Sequence, residues 1–340
     1  MLELIIAGLM AAALVLYALL GGADYGGGVW DLFATSPRAA DQRRLIAEAI
    51  APVWEANHVW LILVLVILFT AFPPAFAAIG TSLHIPLTLM LIGVVLRGTA
   101  FTFRHYDDQH DRVQRRWGLL FSIASIITPI LLGVVVGAVV SGNIRAPASG
   151  GSFVSPWLAP FPFAVGFLAL MLFAFLAAVY LTVEAKDAAL QDDFRVRAIA
   201  AGIGVFVTAG LALLVARRGA PVIWDHLLTG WWAVLLHVAT GLAAAGAFVA
   251  LWIRRFRAAR LLAAAQVVLI LSGWATAQYP WLVVPEHTIS SAAAPDSVLR
   301  PLLVALGLGV LLLAPSIYYL MRVFKGRRST VDGQSSTVDC

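Results

Sequence analysis

The stretch Ala51-Pro-Val-Trp-Glu-Ala-Asn-His-Val-Trp60 places one acid, one amide and one imidazole at the start of an otherwise apolar segment that runs to Phe69. An ionisable side chain inside a membrane helix costs roughly 2.5–3.5 kcal/mol on insertion scales, and residues of this kind usually have a function. Glu55 is therefore the first candidate functional residue of the chain.

The composition indicates an integral membrane protein. Hydrophobic residues make up 61% of the 340 positions and charged residues only 12%, far from the balance of a soluble domain. A helix of about 20 apolar residues crosses the hydrocarbon core of a bilayer. Nine segments meet this requirement, with approximate cores at 2–23, 54–72, 76–100, 117–140, 161–183, 198–216, 230–253, 259–279 and 301–323. We therefore predict an all-α membrane protein with nine transmembrane helices.

A loop rich in Gly, Ser and Pro separates the first four segments from the next four. This pattern predicts two four-helix bundles plus one extra C-terminal helix, and a short interfacial helix is expected within 37–53. The predicted ranges are 1–140 for the first bundle with the acid-containing motifs, 141–160 for the outer loop, 161–300 for the second bundle with its following outer loop, 301–324 for the ninth helix and 325–340 for a disordered cytoplasmic tail.

The charge distribution predicts the orientation of the chain in the membrane. The formal net charge is +5, and with nine spans and an outer N-terminus most Lys and Arg residues fall on the inner side. This asymmetry matches the positive-inside rule, so the basic character does not indicate nucleic-acid binding. The first segment lacks the features of a signal peptide and is expected to be retained. The one cysteine, Cys340, allows neither an intramolecular disulfide nor a thiolate metal cage.

Ionisable residues recur at the inner ends of the first three segments. The first segment is predicted to end in the glycine run 21–28, which surrounds Asp24 and permits close helix packing. The residues Phe72-Pro73-Pro74 predict a tight outer turn, after which Arg97 falls near the inner boundary. We expect Arg97 to pair with Asp24 or Glu55, because an unpaired buried charge is costly. The alternative is that Asp24 is an interfacial charge at a flexible helix end.

Several motifs carry a resemblance to a known family. They are Gly22-Ala-Asp-Tyr-Gly-Gly-Gly28, Ala51-Pro-Val-Trp-Glu-Ala-Asn-His-Val-Trp-Leu-Ile62, Leu96-Arg-Gly98 beside Phe103-Arg104, Thr182-Val-Glu-Ala185 and Tyr279-Pro-Trp281. The second motif is highly specific because its Trp, acid, Asn and second Trp keep fixed spacing. On these residues the chain resembles subunit II of cytochrome bd-type quinol oxidases, including the cyanide-insensitive branch. Relatives have Asp where this chain has Glu55, and His58 is a family variant.

The resemblance implies a heterodimer in the bacterial inner membrane that reduces O2 to water with electrons from quinol. Subunit I, the partner, is expected to hold haems b and d and to oxidise the quinol, while this chain stabilises the assembly and ligates no haem or metal. It leaves open a small accessory membrane subunit and a structural quinone held between apolar helices. Surrounding membrane lipid is the other expected contact.

The residues of the two acid motifs suggest roles within such a complex. Reduction of dioxygen consumes protons, and an acid near the inner face can relay them. We therefore expect Asp24, Glu55 and Asn57 to form an inner proton path, with Arg97 tuning their charge. Trp54 and Trp60 would wall this site, and Trp60 could line an apolar route for dioxygen. For both tryptophans plain helix packing is the favoured alternative.

Two other classes of protein compete with this interpretation. A multi-helix secondary transporter also has buried acids, but it predicts polar residues at the midplane, whereas these acids lie near the inner edge. A haem-binding cytochrome acting alone would need histidines that face each other across two helices. His58, His84 and His237 are the intramembrane candidates, and each is expected to bridge helices instead.

Overall fold

The computed structural model describes residues 1–34, 37–51, 54–106, 111–144 and 154–331, with side chains described in these ranges except at 54–56, 104–106, 111–112, 313–314, 317–318 and 320–331. Within these ranges the chain forms twelve helices and two short strands. In chain order they are α1 Leu2–Leu32, α2 Ala39–Ile50, α3 Trp54–Ala71, α4 Pro73–Ser82, α5 His84–Tyr106, α6 Asp111–Val140, α7 Pro160–Glu184, α8 Ala188–Gly219, α9 Pro221–Thr229, α10 Trp231–Trp252, α11 Phe256–Gln278, β1 Trp281–Val283, β2 His287–Thr288 and α12 Asp296–Val331.

Seven of these helices are long and apolar enough to cross a membrane, among the residues that the structure describes. They are α1, α5, α6, α7, α8, α10 and α11, and the bent pair of α3 and α4 would make an eighth span. The multi-span, all-helical character predicted from the composition is therefore confirmed. A helix, α12, also covers the ninth predicted segment and continues to Val331, seven residues into the range expected to be a disordered tail. The count of nine spans stays a prediction.

The first segment does not end in the glycine run, as the sequence predicted, because α1 continues through it to Leu32. A side chain at Gly26 would overlap the backbone carbonyl of Phe173 in α7, and one at Gly28 would overlap Ser125 in α6. The glycines therefore let three helices approach closely, as small residues do in membrane helix interfaces. Asp24 consequently lies inside a helix, about two turns before its end.

The third predicted segment, 76–100, is also wrong as a single helix. Pro73 begins the short helix α4, which is bent by 117° from α3, and α5 starts only at His84. Proline has no backbone N–H and its ring clashes with a preceding helical turn, so it starts a helix more readily than it continues one. Arg97 therefore lies about 20 Å along α5, well within the candidate span 84–103.

The core of the molecule is built around α7. This helix packs against α1, α6, α8 and α11, so helices from both predicted bundles share it as a neighbour. Its aromatic residues Phe173 and Phe175 are buried together with Tyr17 and Tyr25 of α1. The packing across α7 is continuous, and the predicted division of the chain into two bundles stays a prediction.

A second apolar cluster closes the end of the molecule opposite the glycine run. It joins Ile6 of α1, Phe72 and Leu83 of the α3–α5 connection, Val283 of β1 and Leu299 of α12. The strands β1 and β2 pair antiparallel within the loop after α11, and backbone hydrogen bonds fix this loop to the ends of α3 and α6. At the other end, α2 confirms the short helix expected within 37–53.

Candidate functional site

Asp24 and Asn57 form the centre of the candidate site. Each side chain is only 5% exposed, and the Asn57 amide nitrogen donates a hydrogen bond to a carboxyl oxygen of Asp24. The same nitrogen lies 3.3 Å from the backbone carbonyl of Leu20. The glycine run brings the required proximity, because it lets α1 and its neighbours pack without intervening side chains. The contact links α1 to the first turn of α3.

Arg97 is buried next to this pair, with 2% of its surface exposed. Its Nε donates to the hydroxyl of Ser125 at 3.1 Å, and its guanidinium carbon lies 4.6 Å from the ring centroid of Tyr25 and 5.2 Å from that of Phe121. Stacking on aromatic faces is a favourable environment for a desolvated guanidinium. Its Nη2 has no hydrogen-bond partner among the described residues.

Arg97 was expected to pair with an acid, but it forms no direct ion pair with Asp24. No N···O distance within 4.0 Å joins the two side chains, which are both described, although the positive charge acts electrostatically on the Asp24 carboxyl group. Opposite charges in one apolar region offset part of their desolvation cost. The side chain of Glu55, the other predicted partner, lies outside the described residues.

Two tyrosines and a histidine extend the polar cluster along α1 and α3. The hydroxyl of Tyr17 donates to that of Tyr25 at 3.3 Å, and the His58 ring centroid is 6.2 Å from each tyrosine ring. His58 Nδ1 is buried without a hydrogen-bond partner among the described residues. No role for Tyr17, Tyr25 or Ser125 is predicted from the sequence. Asp24 and Tyr25 follow Tyr17 by seven and eight residues, so all three lie on one helix face. This spacing is the sequence pattern from which the cluster could have been predicted.

The remaining predicted site residues are dispersed. Trp60 is half-buried and packs against the core around α7, as the packing alternative expects, and the side chain of Trp54 lies outside the described residues. His84 Nδ1 is 2.9 Å from the carbonyl of Thr81 at the start of α5, and His237 is exposed on α10. No group of three or more His, Cys, Asp or Glu residues is placed to hold a metal ion in the part of the chain that the structure describes.

A second polar network fastens the end of α1 and α2 to α8. Asp193 accepts hydrogen bonds from Arg38 at 2.9 and 2.6 Å and from Gln42 at 2.8 Å, and Arg197 donates to Gln42 at 2.7 Å. The contact with Asp193 raises the pKa of the Arg38 guanidinium, which stays charged at any physiological pH. Trp30 adds a hydrogen bond to the Ala174 carbonyl at 2.8 Å. The network fixes the helix that carries Asp24.

The site is suited to holding a proton in an apolar surrounding. Asp24 is an acid with a bound amide donor, a nearby cation and hydroxyl groups on the same helix face. Burial and the Arg97 guanidinium act in opposite directions on the charge of a carboxyl group. A carboxyl group in this situation can take up and release a proton without leaving its place.

Fold and site together define a multi-span membrane protein. In it, α1, α3 and α5 contribute a buried acid, a buried amide and a buried arginine to one site. The family model of cytochrome bd terminal oxidase subunit II matches residues 2–324. The chain belongs to this family. Family membership confirms the resemblance seen in the motifs and argues against a secondary transporter.

Individual relatives agree with this assignment. The chain is 33% identical to the cytochrome bd ubiquinol oxidase subunit 2 of Bacillus subtilis (strain 168) over 37% of each chain. It is 30% identical to the cytochrome bd-I ubiquinol oxidase subunit 2 of Escherichia coli (strain K12) over 39% of this chain and 35% of that one. The aligned regions thus span about a third of these relatives.

The fold also matches a solved structure. A chain in the structure of bd oxidase from Geobacillus thermodenitrificans superposes with a TM-score of 0.81 at 23% identity, covering 95% of this chain and 98% of that one. The likeness extends over nearly all of both chains, so the helix arrangement is the one found in that chain.

Proposed function

We propose that this chain is subunit II of a membrane-bound quinol:oxygen oxidoreductase, and that Asp24, Glu55, Asn57 and Arg97 form part of a proton path to the haems of its partner, subunit I. The observation that carries the proposal is the burial of Asp24 in hydrogen-bond contact with Asn57 and close to Arg97. Intramembrane acids with such partners mark proton or ion pathways.

The chemistry of the reaction requires such a path. Electrons from quinol reduce dioxygen to water, and each oxygen atom that becomes water takes up protons from one side of the membrane. The arginine-rich end of the bundle is the predicted cytoplasmic side, and α1 carries Asp24 about 12 Å from its end there. Glu55 and Asn57 belong to the start of α3 at the same end, so protons would enter there and pass Asp24 toward the partner.

The haems are assigned to the partner, and two of the histidines that the structure describes have surroundings other than a haem cavity. His58 lies beside Tyr17 and Tyr25, and His226 Nδ1 is 2.6 Å from the carbonyl of Ala277. A six-coordinate haem needs axial ligands aimed into a common cavity. The contacts of these two rings instead support a chain that positions and stabilises a haem-bearing partner.

The partner is proposed to bind where α3 and α5 expose apolar side chains, because these helices carry Asn57 and Arg97. Large apolar side chains are exposed along both helices, including Ile62 and Phe69 of α3 and Leu91 and Val95 of α5. A partner bound there would lie next to the Asp24 cluster, which shortens any proton transfer between subunits. Trp60 on α3 packs against the core. An oxygen route along Trp60 would therefore pass between the core of this chain and the partner.

The experiment is the substitution Asp24→Asn in the assembled complex. The variant keeps the size of the side chain and one acceptor oxygen but removes its titratable proton, so we expect quinol-dependent oxygen consumption to fall by roughly a hundredfold or more, the usual contribution of an acid–base group. Haem content should stay unchanged. The control is Asp225→Asn, which alters an exposed acid on α9 and should leave turnover at the wild-type rate. Wild-type turnover in Asp24→Asn would refute the role of Asp24.

A further inference from the structure

A cavity lies at the arginine-rich end of the molecule, and none of its lining residues belongs to the Asp24 cluster. It has a volume of about 530 Å³ and is lined by Thr182 and Val183 of α7, Gln191 of α8 and residues 254–258 in the turn from α10 to α11. All four helices are candidate membrane spans. The cavity therefore opens where the ends of these spans meet the polar boundary of the membrane.

The charge of the cavity is positive and only partly balanced by the protein. Arg254 donates to Asp192 at 2.8 Å, and Arg195 shares the same acid at 3.4 Å. Arg255 and Arg257 are exposed and form no ion pair with any residue that the structure describes. Two arginines thus line the cavity without a protein anion.

The backbone of this turn holds the arginines in place. Arg254 has a φ of 58°, in the left-handed region that costs a residue with a side chain roughly 1–2 kcal/mol. The amide of Arg255 donates to the carbonyl of Ala250 at 2.8 Å, and that of Arg254 to the carbonyl of Leu251 at 3.3 Å. The conformation is therefore fixed by hydrogen bonds at the end of α10, and the direction of the chain at Arg255 and Arg257 is fixed with it.

We propose that this cavity binds the phosphate headgroup of an anionic phospholipid. Guanidinium groups match phosphate oxygens in a bidentate geometry, and basic pockets between membrane helices on the cytoplasmic side recognise anionic headgroups. Free phosphate offers the same charge, but the neighbouring Trp252 and Ile253 are 78% and 53% exposed. These apolar side chains provide a contact for an acyl chain that a free anion lacks, which favours the lipid.

The test uses the complex assembled with its partner subunit and purified in detergent. It is incubated with mixed micelles that contain phosphatidylglycerol or phosphatidylcholine, and bound lipid is counted by native mass spectrometry. In Arg255→Gln/Arg257→Gln the affinity for phosphatidylglycerol should fall roughly thirtyfold, from the contribution of two surface charges. The charge-preserving Arg255→Lys/Arg257→Lys should bind more tightly than the Gln variant but more weakly than wild type, because Lys keeps the charge without the bidentate geometry.

The matched control is Arg217→Gln/Arg218→Gln, which removes two adjacent exposed arginines from the last turn of α8, at the other end of that helix. It should bind phosphatidylglycerol as the wild type does. The site would be overturned if Arg255→Gln/Arg257→Gln bound phosphatidylglycerol as tightly as the wild type does. It would also be overturned if the wild type bound phosphatidylcholine as tightly as phosphatidylglycerol. Displacement of phosphatidylglycerol by millimolar inorganic phosphate would overturn the assignment to a lipid and identify free phosphate as the occupant.

Discussion

At the scale of single residues, Asp24 is tolerated in a membrane helix because its neighbours supply a hydrogen-bond donor and a positive charge. Asn57 supplies a donor to the carboxyl group, and Arg97 supplies a positive charge that is itself stacked on Tyr25 and Phe121. A buried polar group that loses its partner costs the full desolvation penalty, whereas a satisfied one costs little. The cluster should therefore respond strongly to the loss of any one member.

Substitution of Asn57 by Ala tests the hydrogen bond itself. The change leaves the Asp24 carboxyl group without its amide donor and should destabilise the assembled complex by about 1–3 kcal/mol. The control Asn143→Ala removes an exposed amide in the turn after α6 and should change stability by no more than about 0.5 kcal/mol. Thermal unfolding of both complexes, followed by loss of the haem spectrum, gives the comparison. Equal midpoints would show that the Asn57 contact contributes nothing.

Substitution of Glu55 by Gln tests the second predicted acid. The variant should slow oxygen consumption by the assembled complex, because an amide cannot relay a proton as a carboxyl group can, while haem content stays at the wild-type level. Glu286→Gln, an exposed acid in the loop after α11, serves as the control. Oxygen electrode measurements at several pH values give the comparison. If Glu55→Gln keeps wild-type turnover at every pH, Glu55 has no part in the path.

The residues of the cluster differ in how far the sequence could identify them. Asp24, Glu55 and Arg97 are ionisable residues in apolar segments, and their cost in a membrane marks each one individually. The partners of Arg97 could not be predicted in the same way. Ser125 and Tyr25 become neighbours of Arg97 only through the rotation of α1, α5 and α6 about their axes, and a uniformly apolar helix gives no amphipathic pattern that would fix this rotation.

At the scale of elements, the glycines of α1 determine how closely α1, α6 and α7 pack. The apolar runs were sufficient to predict most helices, since length and hydrophobicity are local properties. The course of α1 through Gly26 and Gly28 was not predictable, because the partners Phe173 and Ser125 lie more than 90 residues away in the chain. At Pro73 the local signal was present, because the proline predicted a break in the chain. The sequence did not predict that a separate short helix, α4, follows this break.

A methyl group at Gly26 tests this close packing. Gly26→Ala would overlap the carbonyl of Phe173, and forcing apart a tight interface typically costs about 1–3 kcal/mol. We expect a lower thermal midpoint and a reduced yield of haem-containing complex. Gly8→Ala in the same helix, where nothing lies within 4 Å of the added methyl, should behave as wild type. The same yield and midpoint for both variants would contradict close packing at Gly26.

At the scale of the whole molecule, α7 is the helix that the others surround. Its buried side chains contact α1, α6, α8 and α11, so the two halves of the chain share one core. The sequence predicted a membrane protein but not this central helix. Lipid tails and protein interiors are similarly apolar, so a buried span and a lipid-facing span have nearly the same composition.

The assignment of haem to the partner makes a prediction for the intact assembly. The chain expressed and purified alone should show no haem Soret band, whereas the chain purified with subunit I should give a haem-rich complex that consumes oxygen with quinol. Absorption spectra of the two preparations provide the measurement. A Soret band in the isolated chain would mean that this subunit ligates haem itself.

The central claim is that protons reach the oxygen-reducing haem past Asp24, and proton uptake measures this directly. The fully reduced complex is mixed with oxygen in weakly buffered solution, and a pH-sensitive dye follows the protons taken up during reoxidation. We predict that in Asp24→Asn proton uptake and haem reoxidation slow together, at unchanged haem content, while Asp225→Asn matches wild type. Proton uptake by Asp24→Asn at the wild-type rate would contradict the claim.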